Sequence, residues 1–243
     1  MIEATALPGL PEVEPGADLA GLLRTAAAPI GGLEPSDVLC VAHKVVSKAE
    51  GRVVALAGVM PGDWALSWAA EWHKDPRAVQ VVVDEAAEVI RADGGRLICR
   101  TRHGFVCANA GVDRSNAGDE DRAVLLPLNP DGSARALRAA LGCAVVVTDS
   151  FGRPWRVGQM EIAVGCAGLA PLDDQRGLMD RDGREMHATL IAVADQAAAA
   201  ADLARGKAAG QPAVRLRGLG HHVLSGDGPG AAALVRARDQ DLF

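Results

Sequence analysis

The sequence predicts an α+β fold built on a mixed sheet. Short apolar runs typical of strands alternate irregularly with helical patterns, unlike the regular alternation of a doubly wound sheet. The 243 residues exceed the length of an ordinary single domain, and neither an internal repeat nor a long linker divides them. One large domain and two interlocked ones are both compatible with this length. We therefore expect residues 1–243 to fold as a unit.

The predicted strands are short runs rich in Val, Ile and other apolar residues, bounded by Gly, Pro or polar residues. His103 and Gly104 form a tight turn between two of them. In chain order the strands are expected over residues 2–6, 37–42, 96–102, 105–108, 123–126, 145–149, about 161–168, and 213–217. The glycine-rich tail that follows, 218–230, is typical of a mobile segment.

The predicted helices carry apolar residues at helical spacing and begin near capping residues. Asp18 can cap the first helix, Pro76 suits the first turn of the third, and residues 131–133 mark the start of the fourth. In chain order the helices are expected over residues 19–28, 62–73, 76–91, a stretch following 131–133, and about 188–205. A further helical turn over residues 43–48 would place Lys44 and Lys48 on one face.

The composition excludes several classes of partner. Aromatic residues make up 3% of the chain and Tyr is absent, so the stacking platforms that bind nucleic acid bases are not expected. The formal net charge of −6 also disfavours polyanion binding by bulk electrostatics. Neither a membrane span nor a signal peptide is expected from the distribution of apolar residues. A phosphorylated ligand would therefore depend on local arginines, backbone N–H groups and divalent cations.

The five cysteines are interpreted as reduced residues of the core. They lie in apolar runs and lack the CxxC spacing of metal and redox sites. Because reduced thiols are typical of proteins in reducing compartments, we expect a cytoplasmic protein.

The segment 145–159 carries the strongest chemical signal. A buried β-type run ends in Asp149 and Ser150, and a loop containing Arg153 and Arg156 is expected to follow. A carboxylate and a hydroxyl at a strand end suit a hard cation, whereas guanidinium groups on a stiff loop suit phosphate or carboxylate oxygens. The alternative is an Asx-type turn capped by Ser150, with both arginines solvated.

Asp113 and Asp149 are candidate ligands of one cation, since each lies at the exit of an apolar run. Two carboxylates brought together repel each other unless a cation or a proton lies between them. Oxygen ligands without His or Cys favour Mg²⁺ or Mn²⁺. The alternative is two independent turn aspartates. Asn116 is either a turn cap or a residue that reads a nucleotide edge, and the GxxxxGK[ST] phosphate loop is absent.

Several longer segments resemble the coenzyme F-420:γ-glutamyl ligase family, including the N-terminal half of its two-domain actinobacterial form. They run in order along nearly the whole chain and are unusual sequences rather than generic glycine patterns. The segments are GLPEV (9–13), KVVSKAEG (44–51), HGFVCANAGVDRSN (103–116), LP (126–127), DGS (131–133), TDSFGRPWRVGQ (148–159) and AVAD (192–195).

The resemblance implies a mixed-sheet ligase fold of two interlocked α+β subdomains without a P-loop. It also implies a GTP-dependent enzyme that joins L-glutamate to the lactyl carboxylate of the deazaflavin precursor coenzyme F-420-0. This enzyme would extend a γ-linked oligoglutamate tail and release GDP and phosphate. One or two divalent ions, Mg²⁺ or Mn²⁺, would accompany GTP, with room for a monovalent cation such as K⁺. A homodimer acting on small molecules is implied.

The same resemblance implies roles for individual residues. Asp113 and Asp149 would hold one cation, and Ser150 would help to hold a second. The residues expected to border the nucleotide are Leu10, Pro11, Glu12, Val13, His43, Lys48, Asn116 and Lys207.

Lys48, Arg153 and Arg156 form the expected catalytic set. Lys48 would neutralise the triphosphate, and the two arginines would orient anionic substrate groups. Two positions depart from relatives in the family. His43 stands where relatives often carry Ser, and Lys207 stands where relatives with a second metal add a side-chain oxygen. An ammonium group cannot ligate a metal.

Two other functional classes are compatible with the sequence. A metal-dependent phosphohydrolase would use the same aspartates but would release phosphate without any need for glutamate. The other class is a non-catalytic protein that binds a nucleotide or a deazaflavin, which would be favoured if the departures at His43 and Lys207 mark decay of the site.

Overall fold

A mixed five-stranded sheet forms the centre of the fold. The computed structural model describes residues 1–115, 117–118, 121–206 and 209–241. In these residues the strands are β1 (Glu3–Ala6), β2 (Val38–Ala42), β3 (Val53–Ala55), β4 (Ala86–Asp93), β5 (Arg96–Thr101), β6 (Val106–Ala108), β7 (Arg122–Val124), β8 (Ala144–Arg153), β9 (Arg156–Ala167), β10 (Asp173–Asp174), β11 (Leu190–Ile191) and β12 (Ala213–Arg217). The helices are α1 (Leu19–Ala27), α2 (His43–Ala49), α3 (Asp63–Trp72), α4 (Pro76–Glu85), α5 (Pro130–Leu141) and α6 (Val193–Ala204). Mixed sheets with interspersed helices confirm the predicted α+β class.

The order of strands in the central sheet is β1-β12-β2-β8-β9. β2 and β8 are parallel, and the other neighbouring strands are antiparallel. The connection from β2 to β8 contains α2 to α5 and two small sheets, β3-β7 and β4-β5-β6. Because parallel strands end at the same edge, the residues that follow Ala42 lie beside those that follow its partner Thr148.

Helices cover both faces of the central sheet. On one face Leu39, Val41 and Val145 pack with α1 and α5. On the other face Val38 and Cys40, which alternate with them along β2, pack with α6. A strand buried on both faces reads as a continuous apolar run, as the VLCVA segment of β2 does. Each fully buried Val or Leu contributes about 1.5–3 kcal/mol of transfer free energy.

The helix α6 contacts the sheet through alanine side chains. Ala194, Ala197, Ala198 and Ala201 recur at helical spacing and are buried. Such small side chains let the helix backbone lie close to the strands. A core of small residues is what a composition with 3% aromatic residues permits.

A further core lies within the connection from β2 to β8. Leu56, Trp68 of α3, Val79 of α4, and Leu97 and Cys99 of β5 pack together in it. This cluster is distinct from the two clusters on the faces of the central sheet. The division of the chain into two interlocked subdomains stays a prediction.

The predicted helix over residues 76–91 is wrong beyond Glu85. Ala86 adopts an extended backbone, and β4 begins there and pairs antiparallel with β5. The backbone hydrogen bonds of this segment are supplied by pairing with β5, a strand formed by later residues. The apolar pattern of residues 76–91 alone does not indicate this pairing.

Two helix starts also differ from the predictions. α5 is capped by Asn129, whose side chain accepts a hydrogen bond from the Gly132 N–H, rather than by a residue of 131–133. The alanine-rich helix begins at Val193 instead of 188, because the short strand β11 precedes it.

The predicted loop after Asp149 is a β-hairpin. β8 continues through Asp149 and Ser150 to Arg153, and β9 returns from Arg156. Ser150 is paired with Glu161 across the two strands. The alternative prediction of an Asx-type turn capped by Ser150 is therefore wrong as well. The β9 backbone supplies the hydrogen-bond partners that a turn would have taken from a capping side chain.

The glycine-rich segment 218–230, expected to be mobile, is anchored to the rest of the fold. The Leu224 N–H donates a hydrogen bond to the Gly168 carbonyl, and Arg138 lies 3.1 Å from Asp227. Tertiary contacts of this kind leave no local pattern in the sequence.

The five cysteines are buried and free, which confirms their interpretation as core residues. Burial raises the pKa of Cys107 and Cys166 to about 12 and that of Cys143 to about 11. In the described part of the chain, no helix is both long enough and apolar enough to cross a membrane.

Candidate functional site

A cavity of about 300 Å³ lies at the carboxyl end of β2, where the parallel pairing of β2 with β8 stops at Ala42 and Thr148. Ligands of open α/β sheets commonly bind at this edge. Its walls come from the loop before α1, the start of α2, the middle of β8, and the segment after α6. The lining residues are Leu10, Pro11, Glu12, Val13, Ala42, His43, Lys44, Val45, Lys48, Asp113, Thr148, Asp149, Ser150, Glu161, Asp202, Arg205, Gly206, Gly210, Gln211 and Pro212.

His43 lies at the junction of β2 and α2 and is buried. Its Nε2 is 3.4 Å from Asp149 Oδ1, and its Nδ1 is 3.3 Å from Ser47 Oγ. Because the helix starts without a linker after β2, the imidazole is placed directly against the neighbouring strand β8. His43 therefore contacts a predicted metal ligand from inside the protein.

Lys44 holds Asp113 at the other side of the cavity. Its Nζ is 2.6 Å from Asp113 Oδ2 and also donates to Ser115 Oγ at 2.6 Å. Burial raises the pKa of the Asp113 carboxyl, but hydrogen bonds from Lys44 and from the Ser115 N–H outweigh it and lower that pKa below its usual value. Asp113 is therefore ionised at neutral pH.

The structure brings the two predicted metal ligands, Asp113 and Asp149, to one cavity. In the described residues, no three His, Cys, Asp or Glu side chains come close enough to hold a metal as a complete protein cage. Mg²⁺ usually takes one or two carboxylates and completes its shell with water and substrate phosphates. Two carboxylates with the Ser150 hydroxyl nearby are thus a donor set that fits Mg²⁺ or Mn²⁺.

The balance of charge in the cavity wall also favours a cation. Five carboxylates and three permanently cationic side chains are found among the described lining residues. A triphosphate brought into such a wall would be repelled without added positive charge. The carboxylates are Glu12, Asp113, Asp149, Glu161 and Asp202, and the cationic groups are Lys44, Lys48 and Arg205.

Glu161 and Arg205 form a buried ion pair behind the predicted metal ligand Ser150. Arg205 Nη2 lies 2.5 Å from Glu161 Oε2, and the Ser150 hydroxyl donates to Glu161 Oε1 at 2.5 Å. Neither Glu161 nor Arg205 was predicted from the sequence as a site residue. A charged residue at the first position of the predicted strand 161–168 was the available signal for Glu161, and the Arg at the end of an alanine-rich helix carried no signal of its own.

The nucleotide segment predicted at Leu10 to Val13 lines the cavity beside Lys48. The Lys48 ammonium donates to Glu12 Oε1, so the only strongly polar side chain of this segment is joined to α2. Val13 is buried in the core below, which fixes the end of the segment. These predicted residues are therefore together in space.

Comparison with known proteins assigns the chain to a family. The profile of the F420-0:Gamma-glutamyl ligase family matches residues 9–218, from the cavity-lining segment before α1 to the end of β12. The chain belongs to this family. A coenzyme F420:L-glutamate ligase of Methanothermobacter thermautotrophicus is 43% identical over 97% of this chain and 96% of its own. Ligases of the same name from Methanopyrus kandleri and Halobacterium salinarum are 42% and 45% identical, over 96% and 99% of this chain and 93% and 95% of theirs.

In this member of the F420-0:γ-glutamyl ligase family, Arg153 and Arg156 lie apart from the other predicted residues. They flank the turn of the β8–β9 hairpin and are not among the residues that line the cavity. Arg153 donates to the Val157 carbonyl at 2.8 Å, and Trp155 at the tip is 79% exposed. The hairpin therefore holds these arginines at the protein surface.

Asn116 and Lys207, both expected to border the nucleotide, lie outside the described residues. Their neighbours Ser115 and Gly206 are placed at or beside the cavity: Ser115 binds Lys44, and Gly206 lines the wall.

Proposed function

We propose that this protein is a GTP-dependent ligase that joins L-glutamate to the lactyl carboxylate of coenzyme F-420-0 and extends a γ-linked oligoglutamate tail. Family membership and near full-length similarity to coenzyme F420:L-glutamate ligases support the reaction class. The observation that carries the proposal is the gathering of Asp113, Asp149, Ser150 and Lys48 around one cavity. That combination suits a substrate with several phosphate groups.

The chemistry requires an activated carboxylate, because an amine does not displace oxygen from a carboxylate ion at neutral pH. The precursor carboxylate oxygen attacks the γ-phosphorus of GTP, the bond to the β–γ bridging oxygen breaks, and GDP leaves. The glutamate amine then attacks the acyl carbon of the acyl phosphate. Phosphate departs with the electron pair of the C–O bond, and the amine loses a proton to form the amide.

The residues of the cavity have separate tasks in this proposal. Lys48 neutralises phosphate oxygens once it is released from Glu12, and the segment 10–13 borders the nucleotide. Asp113, Asp149 and Ser150 would hold one or two ions of Mg²⁺ or Mn²⁺, which when bound offset the negative charge of the phosphates. A monovalent cation such as K⁺ and a nucleotide contact from Asn116 and Lys207 belong to the same proposal.

The finer organisation is proposed on the same basis. We infer a mixed-sheet ligase fold of two interlocked subdomains without a P-loop, working in the cytoplasm as a homodimer on small-molecule substrates. Arg153 and Arg156 would orient anionic substrate groups from the hairpin tip. Since neither arginine lines the cavity of its own chain, this role is the least supported by the geometry.

The test is mass spectrometry of the products formed from coenzyme F-420-0, GTP, L-glutamate and Mg²⁺ or Mn²⁺. We expect products heavier by successive glutamyl units together with GDP. Phosphate release that does not depend on glutamate would instead indicate the phosphohydrolase. GTP binding without turnover under either metal would indicate the non-catalytic binding protein.

Asp149→Ala should abolish glutamate-dependent GDP release, because it removes a carboxylate proposed to hold the metal. The matched control is Asp63→Ala, which removes an exposed carboxylate of α3 that does not line the cavity and should retain activity. Both variants should show the wild-type circular dichroism spectrum. Full activity in Asp149→Ala would remove the metal role.

A further inference from the structure

Ser150, Glu161 and Arg205 form a chain of contacts that runs from the cavity into the protein. The Ser150 hydroxyl donates to Glu161 Oε1 at 2.5 Å. Arg205 Nη2 is 2.5 Å from Glu161 Oε2 and 3.1 Å from Thr148 Oγ1. The side chains of Glu161 and Arg205 are 6% and 8% exposed. The pair is thus almost fully removed from solvent while one of its oxygens contacts a residue of the cavity wall.

The direction of the Ser150 hydrogen bond follows from the charge of Glu161. The Arg205 guanidinium is permanently charged and lies 2.5 Å from Glu161 Oε2, so the Glu161 carboxyl is the anionic member of an ion pair. An ionised carboxylate can only accept, so Ser150 has to donate its single proton. Toward any other partner the Ser150 oxygen is then an acceptor, which is the role that a metal ligand needs.

Arg205 also connects this network to another part of the cavity wall. Its Nη1 donates to the Pro212 carbonyl at 3.2 Å. Gly210, Gln211 and Pro212 line the cavity after α6, so one guanidinium group links that segment with β8 and β9. Arg205 is the C-cap residue directly after α6, and its position is therefore set by the packing of the helix on the sheet.

We propose that Glu161 and Arg205 are a positioning pair that orients the Ser150 hydroxyl as an acceptor toward a divalent cation. The inference rests on the proposed function, because it assumes a metal at Ser150. Partners of metal ligands typically change metal affinity by about 10- to 100-fold when they are removed. A pair with a structural role alone would affect folding and leave the metal affinity unchanged.

The test compares Mn²⁺ affinity, measured by electron paramagnetic resonance with a non-hydrolysable GTP analogue present, in four proteins. These are the wild type, Ser150→Ala, the double variant Glu161→Met/Arg205→Met, and the triple variant that combines all three substitutions. Replacing both members of a buried ion pair by apolar residues avoids leaving one charge uncompensated. We expect about tenfold weaker Mn²⁺ binding in the double variant.

The triple variant decides whether the pair acts through Ser150. If it does, the triple variant should bind Mn²⁺ as Ser150→Ala does, because the pair has nothing left to orient. Additive losses would overturn the inference, and so would wild-type affinity in the double variant. The control is Arg52→Met/Glu85→Met, which removes an ion pair that does not line the cavity. Arg52 Nη2 lies 2.7 Å from Glu85 Oε2, and the loss of this pair should leave Mn²⁺ binding unchanged.

Glu161→Asp provides a second route that preserves the charge opposite Arg205. It withdraws the carboxylate from Ser150 by about one C–C bond, roughly 1.5 Å, so several-fold weaker Mn²⁺ binding is expected. Unchanged affinity in this variant would contradict the inference even if the double variant did not fold.

The two proposals fail differently. A wild type that binds no Mn²⁺ contradicts the proposed metal site, whereas a wild type that binds Mn²⁺ together with variants of unchanged affinity contradicts only the positioning pair.

Discussion

At the scale of single residues, the two lysines of α2 have different surroundings. Lys44 donates to Asp113 Oδ2, Ser115 Oγ and the Ser115 carbonyl at 2.6, 2.6 and 3.2 Å, which uses its three N–H donors. Lys48 instead contacts Glu12, whose side chain is 65% exposed. An incoming anion can displace an exposed carboxylate at low cost. Lys44 therefore maintains the cavity wall, and Lys48 is the lysine that we expect to meet a phosphate.

Lys44→Met should lower ligase activity about tenfold, because Asp113 loses the hydrogen bonds that hold it and lower its pKa. The cost to the free energy of unfolding should stay near 1 kcal/mol, since the pair is only partly buried. Steady-state rates and urea unfolding measure the two effects. Lys74→Met, at an exposed lysine outside the cavity, should change neither. An active Lys44→Met enzyme would show that Asp113 needs no such partner.

Glu161 should make the stability of the protein sensitive to acid. Its pKa is lowered in the folded state, so its favourable contribution is complete above the ordinary value of 4.5 and is lost as the pH falls through the lowered pKa. The charged groups that face it are Arg205 and, beyond it, Asp202, 3.7 Å from the Arg205 Nε. The free energy of unfolding of Glu161→Met/Arg205→Met should therefore fall less steeply below pH 4.5 than that of the wild type. Urea unfolding at a series of pH values measures this, and an equal loss of the free energy of unfolding in the two proteins below pH 4.5 would contradict it.

At the scale of elements, the start of α5 is pressed against β9. A Cβ added at Gly165 of β9 would lie 2.3 Å from the Pro130 carbonyl oxygen at the first position of α5. The Asp131 side chain next to it accepts a hydrogen bond from the Cys166 N–H at 2.8 Å. The helix is thus fixed to the strand by a close approach of two backbones and by a hydrogen bond between the Asp131 side chain and the β9 backbone.

Gly165→Ala should destabilise the protein by about 1–3 kcal/mol, because backbone atoms of α5 would have to move. Gly152→Ala is the matched control in the neighbouring strand β8, since a Cβ there meets nothing within 4 Å. It should change the free energy of unfolding by less than about 0.5 kcal/mol. Urea unfolding of the two variants decides the matter, and equal stabilities would rule out the close approach.

Elements with strong local signals were predictable from sequence, and those that depend on distant pairing were not. The strand β12 and the helix α1, with its Asp18 cap, lie within a residue or two of their predicted bounds. The segment beginning at Ala86 and the hairpin after Ser150 were predicted wrongly. In both cases a strand formed by later residues supplies the hydrogen bonds, and the local sequence holds no record of that partner.

At the scale of the whole molecule, the β8–β9 hairpin presents apolar side chains to solvent. Trp155 and Val157 are 79% and 95% exposed at its tip. Exposed apolar groups of this size are more common at interfaces between proteins than on isolated surfaces. Together with the implied homodimer, they make self-association a testable expectation.

Sedimentation equilibrium should give a mass twice the 25.1 kDa of one chain. Trp155→Ser should shift the equilibrium toward the monomer, because it removes apolar surface that association would bury. Ile2→Ser serves as the control, because it removes another exposed apolar side chain, directly before β1 and outside the hairpin. A monomeric wild type at micromolar concentration would exclude the homodimer.

The sequence by itself determined the α+β class, the family, and the residue types expected at the site. These follow from local patterns and from long unusual segments that remain recognisable in any conformation. Only the tertiary structure decided which residues meet: the parallel pairing of β2 with β8 places His43 beside Asp149, and the end of α6 brings Arg205 to Glu161. Such contacts join residues about 100 and about 40 positions apart, and their formation depends on packing energies summed over the whole core rather than on any local preference.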